Sequence, residues 1–268
     1  MKHSRYYNFK FIAGAVITGF VVLLSVVGLF YTPYDPNGMD AAAKFAGPSF
    51  RHLLGCDNFG RDIFSRILTG SGTTLIIAFF TVLIGAAGGM LIGAVTGYFG
   101  GALDELLMRL NDAVLAFPSI LLSLVVISLI GSGKFKVILA LGIVFIPSFA
   151  RIVRSEFLRC KNMDYVGSAK LSGAGEFRII FFHILPNAVP VLLSSVAIGF
   201  NNAVLAEASM SFLGIGVQPP DSSLGRMLSE AQAFLFVKPS YALFSGLMIV
   251  LMILGFSMLS EGMETTDA

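Results

Sequence analysis

The chain alternates long apolar runs with shorter polar stretches. The first run covers residues 11–31 and follows Lys2, Arg5 and Lys10. Further runs cover about 73–98, 107–130, 137–152, 188–208 and 241–260. A helix of roughly 20 residues crosses a hydrocarbon core of about 30 Å. The pattern therefore predicts an all-α fold, a polytopic membrane helix bundle of about six transmembrane helices. The run at 137–152 is the shortest and carries Pro147. A signal peptide has a shorter apolar core and a small-residue cleavage site, so the first run is expected to be retained as a span.

With the basic N-terminus inside, six spans return the C-terminus to the cytoplasm. Residues 1–10 then form a cytoplasmic tail. Residues 11–268 form a single transmembrane domain, with an outer segment at 32–71 and an inner one at 153–187. The inner segment and its edge carry Arg151, Arg154, Arg159, Lys161, Lys170 and Arg178 against Glu156, Asp164 and Glu176. That excess follows the positive-inside rule. In the outer segment Lys44, Arg51, Arg61 and Arg66 balance Asp35, Asp40, Asp57 and Asp62.

Composition agrees with a membrane setting. The 268 residues are 56% hydrophobic and 13% charged, with a mean hydropathy of +0.84. A soluble surface needs more charge. A net charge of +2 points to no nucleic-acid partner. Cys56 and Cys160 lie far apart, the histidines (His3, His52, His183) are scattered, and no CxxC occurs. Neither a disulfide framework nor a metal site is expected.

Glycines recur every fourth residue at Gly85, Gly89, Gly93, Gly97 and Gly101, nearly on one helix face. They suit either a sliding contact or tight packing between helices. Asp104, Glu105, Arg109 and Asp112 cluster at the inner start of the third span, spaced to pair along one face. Glu207 lies near the outer end of the fifth span, beside Asn201 and Asn202. An acid there is a functional candidate; a structural hydrogen bond is the other reading. No span carries the series of acids or histidines that a proton relay needs.

Residues 163–190 read MDYVGSAKLSGAGEFRIIFFHILPNAVP. Asp164 is a candidate N-cap. A short helix through Lys170 and Leu171 is expected to close near Gly173, which suits a left-handed residue. A second helix would begin near Glu176, with Phe177, Ile180, Phe181 and Ile184 at i, i+3, i+4 and i+7 as one apolar stripe. Pro186 is expected to end it. Such a hairpin suits docking to another protein or lying on lipid headgroups.

This segment resembles the EAA loop of binding-protein-dependent ABC importer permeases. Gly173, then His183, Leu185 and Pro186, fall at the motif's places, and His183–Ile184–Leu185–Pro186–Asn187 matches the HxLPN form of the peptide and nickel branch. The Glu-Ala-Ala positions read Gly167, Ser168 and Ala169. Residues 52–66 resemble HxLGTDxxGRDxxSR, with Cys56 in the usual threonine place. Asp112, Phe117 and Pro118 match a further stretch, and residues 205–220, with Glu207 and Ser211, resemble EASLSFLGxGxQPP.

The resemblance implies a type I ABC importer permease-like fold, nearest to the C-type subunit of dipeptide, oligopeptide and nickel importers. It implies a homologous second permease, two ATP-binding subunits and an extracytoplasmic substrate-binding protein, in the cell membrane of a prokaryote. It places Asp164, Tyr165, Gly167, Ser168, Ala169, Gly173, Phe177, His183, Leu185 and Pro186 in the ATPase-coupling loop. Asp57, Gly60, Arg61 and Asp62 are candidate contacts for the binding protein, with an internal Arg61–Asp62 or Arg66–Asp62 arrangement as the other reading. Asp112, Glu207 and Ser211 are candidate pathway or gate residues.

The sole near-match to a phosphate loop, Gly131–Ser132–Gly133–Lys134, continues with Phe135 rather than Ser or Thr. No cofactor is expected on this chain, and ATP and magnesium are expected in partner subunits. An ion-coupled secondary transporter is the alternative, but it would call for broken helices, midplane charges and often a repeat. An intramembrane enzyme would need a nucleophile beside His183, and none is in view.

Overall fold

The computed structural model describes residues 2–264, with side chains for residues 9–262. The helices are α1 (Lys2–Phe30), α2 (Ile63–Phe99), α3 (Gly101–Leu115), α4 (Ser119–Ile130) and α5 (Lys134–Lys161). They continue with α6 (Asp164–Leu171), α7 (Glu176–Arg178), α8 (Leu185–Phe212), α9 (Leu224–Gln232) and α10 (Pro239–Glu264). A π turn, Ile179–Ile184, joins α7 to α8 without a break. Among the described residues no strand forms, and Cys56 and Asp62 make an isolated bridge.

Five helices are long and apolar enough to cross a membrane: Phe9–Phe30, Ile63–Phe99, Lys134–Lys161, Glu176–Phe212 and Pro239–Gly262. The third expected span is different. Its apolar run is broken into α3 and α4, bent by 93°, and the two supply a sixth crossing only if they count as one. The cause is local. Proline disfavours helical geometry in the residue before it, so α3 stops before Phe117 and the Pro118 carbonyl accepts the first bond of α4, from Leu122 N–H.

The chain divides into two compact units. One comprises residues 1–79, 124–138 and 200–268, the other residues 80–123 and 139–199. In the first unit α1 and α10 run antiparallel in close contact. A Cβ on Gly14 would sit 2.5 Å from the backbone of Leu259, and one on Gly262 would sit 2.7 Å from Phe11 Cβ.

In the second unit the glycine stripe of α2 lies against α5. A Cβ on Gly93 would approach the Ala150 carbonyl oxygen to 2.5 Å, and one on Gly89 would collide with Phe149. Gly85, Gly89, Gly93 and Gly97 are therefore a tight packing seam, of the kind that lets helix backbones approach closely. Gly101 is not part of it. It opens α3 at φ +67° with no atom near its missing side chain.

Candidate functional site

The 153–187 segment folds as a helix pair on the core of the second unit. Met163, not Asp164, is the N-cap of α6, and it makes no side-chain cap bond. Asp164 is the first helical residue, where its charge faces the positive end of the helix dipole. At the other end Ser172 caps α6 and Gly173 follows at φ +79°. Gly173 N–H donates to Lys170 O and Ala174 N–H to Ala169 O, each at 3.0 Å. That pair of bonds is a Schellman motif, and glycine fits its left-handed position.

Beyond the turn, the expected apolar stripe is split: Ile180 and Ile184 pack onto the core, while Phe177 and Phe181 do not. A π turn adds one residue to the helical repeat, so the buried face is Ile179, Ile184, Ala188 and Leu192. These side chains pack with Tyr98, Val153, Phe157 and Val166. Phe177, Phe181 and Phe182 fall outside that face and stay exposed, and the Phe177 and Phe181 rings lie 4.4 Å apart. Pro186 does not end the helix either. It is the second residue of α8, directly after the π turn. There the α-type ladder is already interrupted, so a missing N–H costs little.

One face of the pair is thus anchored. The opposite face presents Tyr165, Gly167, Ser168, Leu171 and the phenylalanines, with open space around Gly167 and Gly173. His183 and Leu185 are half-buried on the helix, and the His183 carbonyl accepts from Asn187 Nδ2 at 2.6 Å.

In the 32–71 segment, Asp57, Gly60, Arg61 and Asp62 are all buried. Asp57 accepts from Arg61 Nε at 2.6 Å and from the backbone of Phe59 and Arg61. Arg61 and Arg66 converge on Glu230 Oε2 of α9 at 2.7 and 3.0 Å, and Tyr241 donates to the same oxygen at 3.1 Å. Burial alone would raise the Glu230 carboxyl, but Arg66 and Arg61 outweigh it and hold it below the usual glutamate range.

The internal arrangement runs through Asp57 and Glu230, not through Asp62. Asp62 instead accepts from Ser65 N–H and Oγ at the start of α2, and its other oxygen lies 3.0 Å from His52 Nδ1. Turns at Gly55 and Gly60, both with positive φ, bring His52, Cys56 and Asp62 within 4.8 Å. Burial, then Asp62 and Asp57, push the Cys56 thiol up to about 11. The scattered histidines and cysteines of the sequence hid this cluster, because the turns that gather it join residues four and six apart.

Glu207 is fully buried. It accepts from Thr74 Oγ1 at 2.8 Å and from Ser211 Oγ at 2.7 Å. Thr74 Oγ1 in turn accepts from Leu224 N–H at 3.3 Å, and Ser211 Oγ from Val217 N–H at 3.0 Å. These bonds tie α2, α8 and α9 together in the first unit. Asp112 is exposed and pairs with Arg151 at 2.6 Å, while Asp104 takes a bidentate bond from Arg154 at 2.6 and 2.7 Å. Of the expected pairing along α3, Arg109 with Glu105 forms at 2.6 Å. Glu230 and Thr74 were absent from the sequence reading. The amphipathic nine residues of α9, opened by the Ser223 N-cap, are the signal that points to Glu230.

Long apolar helices, a glycine-packed core and an anchored hairpin with one free face define a polytopic membrane domain. Residues 89–264 match the family of binding-protein-dependent transport system inner membrane components. The chain belongs to that family, and it is an ABC importer permease of the peptide type. It is 37% identical over 257 residues to the dipeptide transport system permease protein DppC of Haemophilus influenzae, covering 94% of this chain and 87% of that one. It is 40% identical over 255 residues to the glutathione transport system permease protein GsiD of Pectobacterium atrosepticum, covering 93% and 85%.

The fold is similar to that of the MetNI methionine ABC transporter in inward-facing conformations. The TM-score is 0.61 at 17% identity, covering 76% of this chain and 96% of that one. An amino acid ABC transporter gives a TM-score of 0.59 at 18% identity, covering 75% and 94%.

Proposed function

We propose that this chain imports short peptides, of the dipeptide to glutathione class, as one permease of a heterodimer with a homologous second permease. The names of its relatives support the substrate class, in preference to nickel or metal chelates. Two ATPase subunits supply the energy, so ATP and magnesium bind there and not on this chain. An extracytoplasmic binding protein delivers the peptide, and both termini lie in the cytoplasm. Residues 1–10 are then the cytoplasmic N-terminal tail.

The observation that carries this reading is the hairpin with one buried and one free face, running without a break into α8. Its free side offers the small residues Gly167 and Ser168 for close approach and exposed phenylalanines for an apolar contact. The buried side holds it firmly enough to act as a handle. ATP-driven closure of the partner subunits then needs to bias two states of the permease by only a few kcal/mol.

Crosslinking tests the reading. With the assembled transporter in membranes, Gly167→Cys or Ser168→Cys should capture an ATPase subunit, in a manner sensitive to ATP. Labelling of these positions solely from the exterior would overturn the orientation and the coupling role. Uptake into proteoliposomes driven by an ion gradient without ATP would favour a secondary transporter instead.

A further inference from the structure

The geometry points to a binding site for a borderline divalent transition-metal ion, of the Zn²⁺ type, formed by His52, Cys56 and Asp62. The inference stands apart from the transport reading, because none of these side chains lies in the hairpin.

The three residues supply an imidazole nitrogen, a sulfur and a carboxylate oxygen within 4.8 Å of one another. Cys56 and Asp62 are buried, and the His52 side chain is 21% exposed. Thiolate and imidazole donors select Zn²⁺, Co²⁺ and Ni²⁺ over Mg²⁺ and Ca²⁺. A deprotonated thiol and a carboxylate together neutralise a divalent charge, so the ion enters a buried site without leaving uncompensated charge.

The supporting shell is already built. Asp62 keeps one oxygen on the Ser65 N–H and hydroxyl at 2.8 and 2.7 Å, which orients the other toward His52. His52 stacks on Tyr34 with centroids 4.7 Å apart, and its backbone is held by Ser49 and Gly55. Cys56 is locked by its bridge to Asp62. Such outer contacts fix ligand orientation at metal sites.

Ligand bonds of about 2.0–2.3 Å in a tetrahedral site set the donor atoms roughly 3.3–3.6 Å apart. The His52–Asp62 pair, now 3.0 Å apart, opens slightly and Cys56 closes in. On binding, the thiol releases one proton, and His52 ligates through Nδ1 with its own proton on Nε2. Access comes from a cavity of about 450 Å³ lined by Tyr34, Asp35, Asp40, Arg51, His52 and Asp62. Water from that cavity takes the fourth position.

Titration of the purified full-length protein with Co²⁺, a spectroscopic stand-in for Zn²⁺, tests the site. One equivalent should bind with near-ultraviolet thiolate-to-cobalt absorption, which Zn²⁺ then abolishes. Cys160→Ser should keep that absorption. Cys56→Thr and His52→Asn should each lose it, and weaken binding by more than the about 10–100-fold that outer-shell changes cost. Absence of thiolate absorption in the Cys160→Ser protein overturns the proposal even if the other variants fail to fold. So does equal Co²⁺ affinity in wild type and a folded Cys56→Thr.

Discussion

Ile179 and Ile184 are five residues apart, yet both are packed into one core and neither is more than 1% exposed. A regular helix would rotate the second away from the first. The π turn between them restores the alignment, and the same rotation leaves Phe177, Phe181 and Phe182 outside. On the proposed coupling role, stability and docking fall to different residues of one short helix. Ile184→Ala should cost about 2–5 kcal/mol, as core truncations do. Phe182→Ala should change stability by under about 0.5 kcal/mol yet lower ATP-dependent uptake. Thermal unfolding of both variants beside an uptake assay separates the roles, and equal destabilisation would refute the division.

The spans were legible because an apolar run of sufficient length has few other uses. The hairpin was legible in outline because Gly173 marks a left-handed stop. What escaped depends on geometry that periodicity does not encode. The π turn inserts a residue into the helical repeat, so the stripe counted from Phe177 keeps Ile180 and Ile184 on the packed face but loses Phe177 and Phe181 from it, and Pro186 looked like a terminus. The sharp bend between α3 and α4 was written at Phe117–Pro118, but the apolar run continued across it. Arg61 found Glu230, 169 positions away, and no local spacing announces such a partner.

The glycine seam gives a graded test. Gly89→Ala places a methyl group against Phe149 and the Ala150 backbone, whereas a methyl on Gly167 meets no atom within 4 Å. Overpacking of this kind costs about 1–3 kcal/mol. Gly89→Ala should lower the unfolding temperature, and Gly167→Ala should hold it or raise it slightly. A tolerated Gly89→Ala would mean that α2 and α5 part readily, as a sliding contact would.

Acid should loosen the 32–71 segment through Glu230. Its folded pKa is lowered, so its contribution is whole above the unfolded glutamate value of about 4.3 and is lost as pH falls through the folded value. Unfolding measured from about pH 6 down to about pH 3 should show a steeper acid loss in wild type than in Glu230→Gln. At neutral pH the variant should be less stable by about 3–5 kcal/mol, since Arg61 and Arg66 lose a buried partner. Parallel pH profiles would assign the acid sensitivity to other carboxylates.

Thr74 decides what Glu207 is for. If the carboxylate serves as a fastening among α2, α8 and α9, Thr74→Val should cost about 1–3 kcal/mol by leaving it short of a donor. Uptake per folded molecule should then stay near wild type, and Glu207→Gln should retain an acceptor for Ser211. Uptake measured against the amount of folded protein gives the answer. A stable Glu207→Gln variant without transport would place Glu207 in the pathway.

Gly173 joins the structural and coupling arguments most directly. At φ +79° any L-residue is strained by roughly 1–2 kcal/mol, although the space around it is open. Replacement therefore acts on the angle between α6 and the π turn and leaves the packed face alone, since Val166, Ile179 and Ile184 keep their neighbours. Gly173→Trp should insert into the membrane and unfold at nearly the wild-type temperature. It should also let the ATPase subunits hydrolyse ATP without matching uptake, because on the proposed coupling role the hairpin's free face no longer meets them at the right angle. The ratio of peptide imported to ATP hydrolysed in proteoliposomes is the quantity to measure. An unchanged ratio would show that the turn's geometry carries no coupling, and would move the search for the handle to the exposed phenylalanines beyond it.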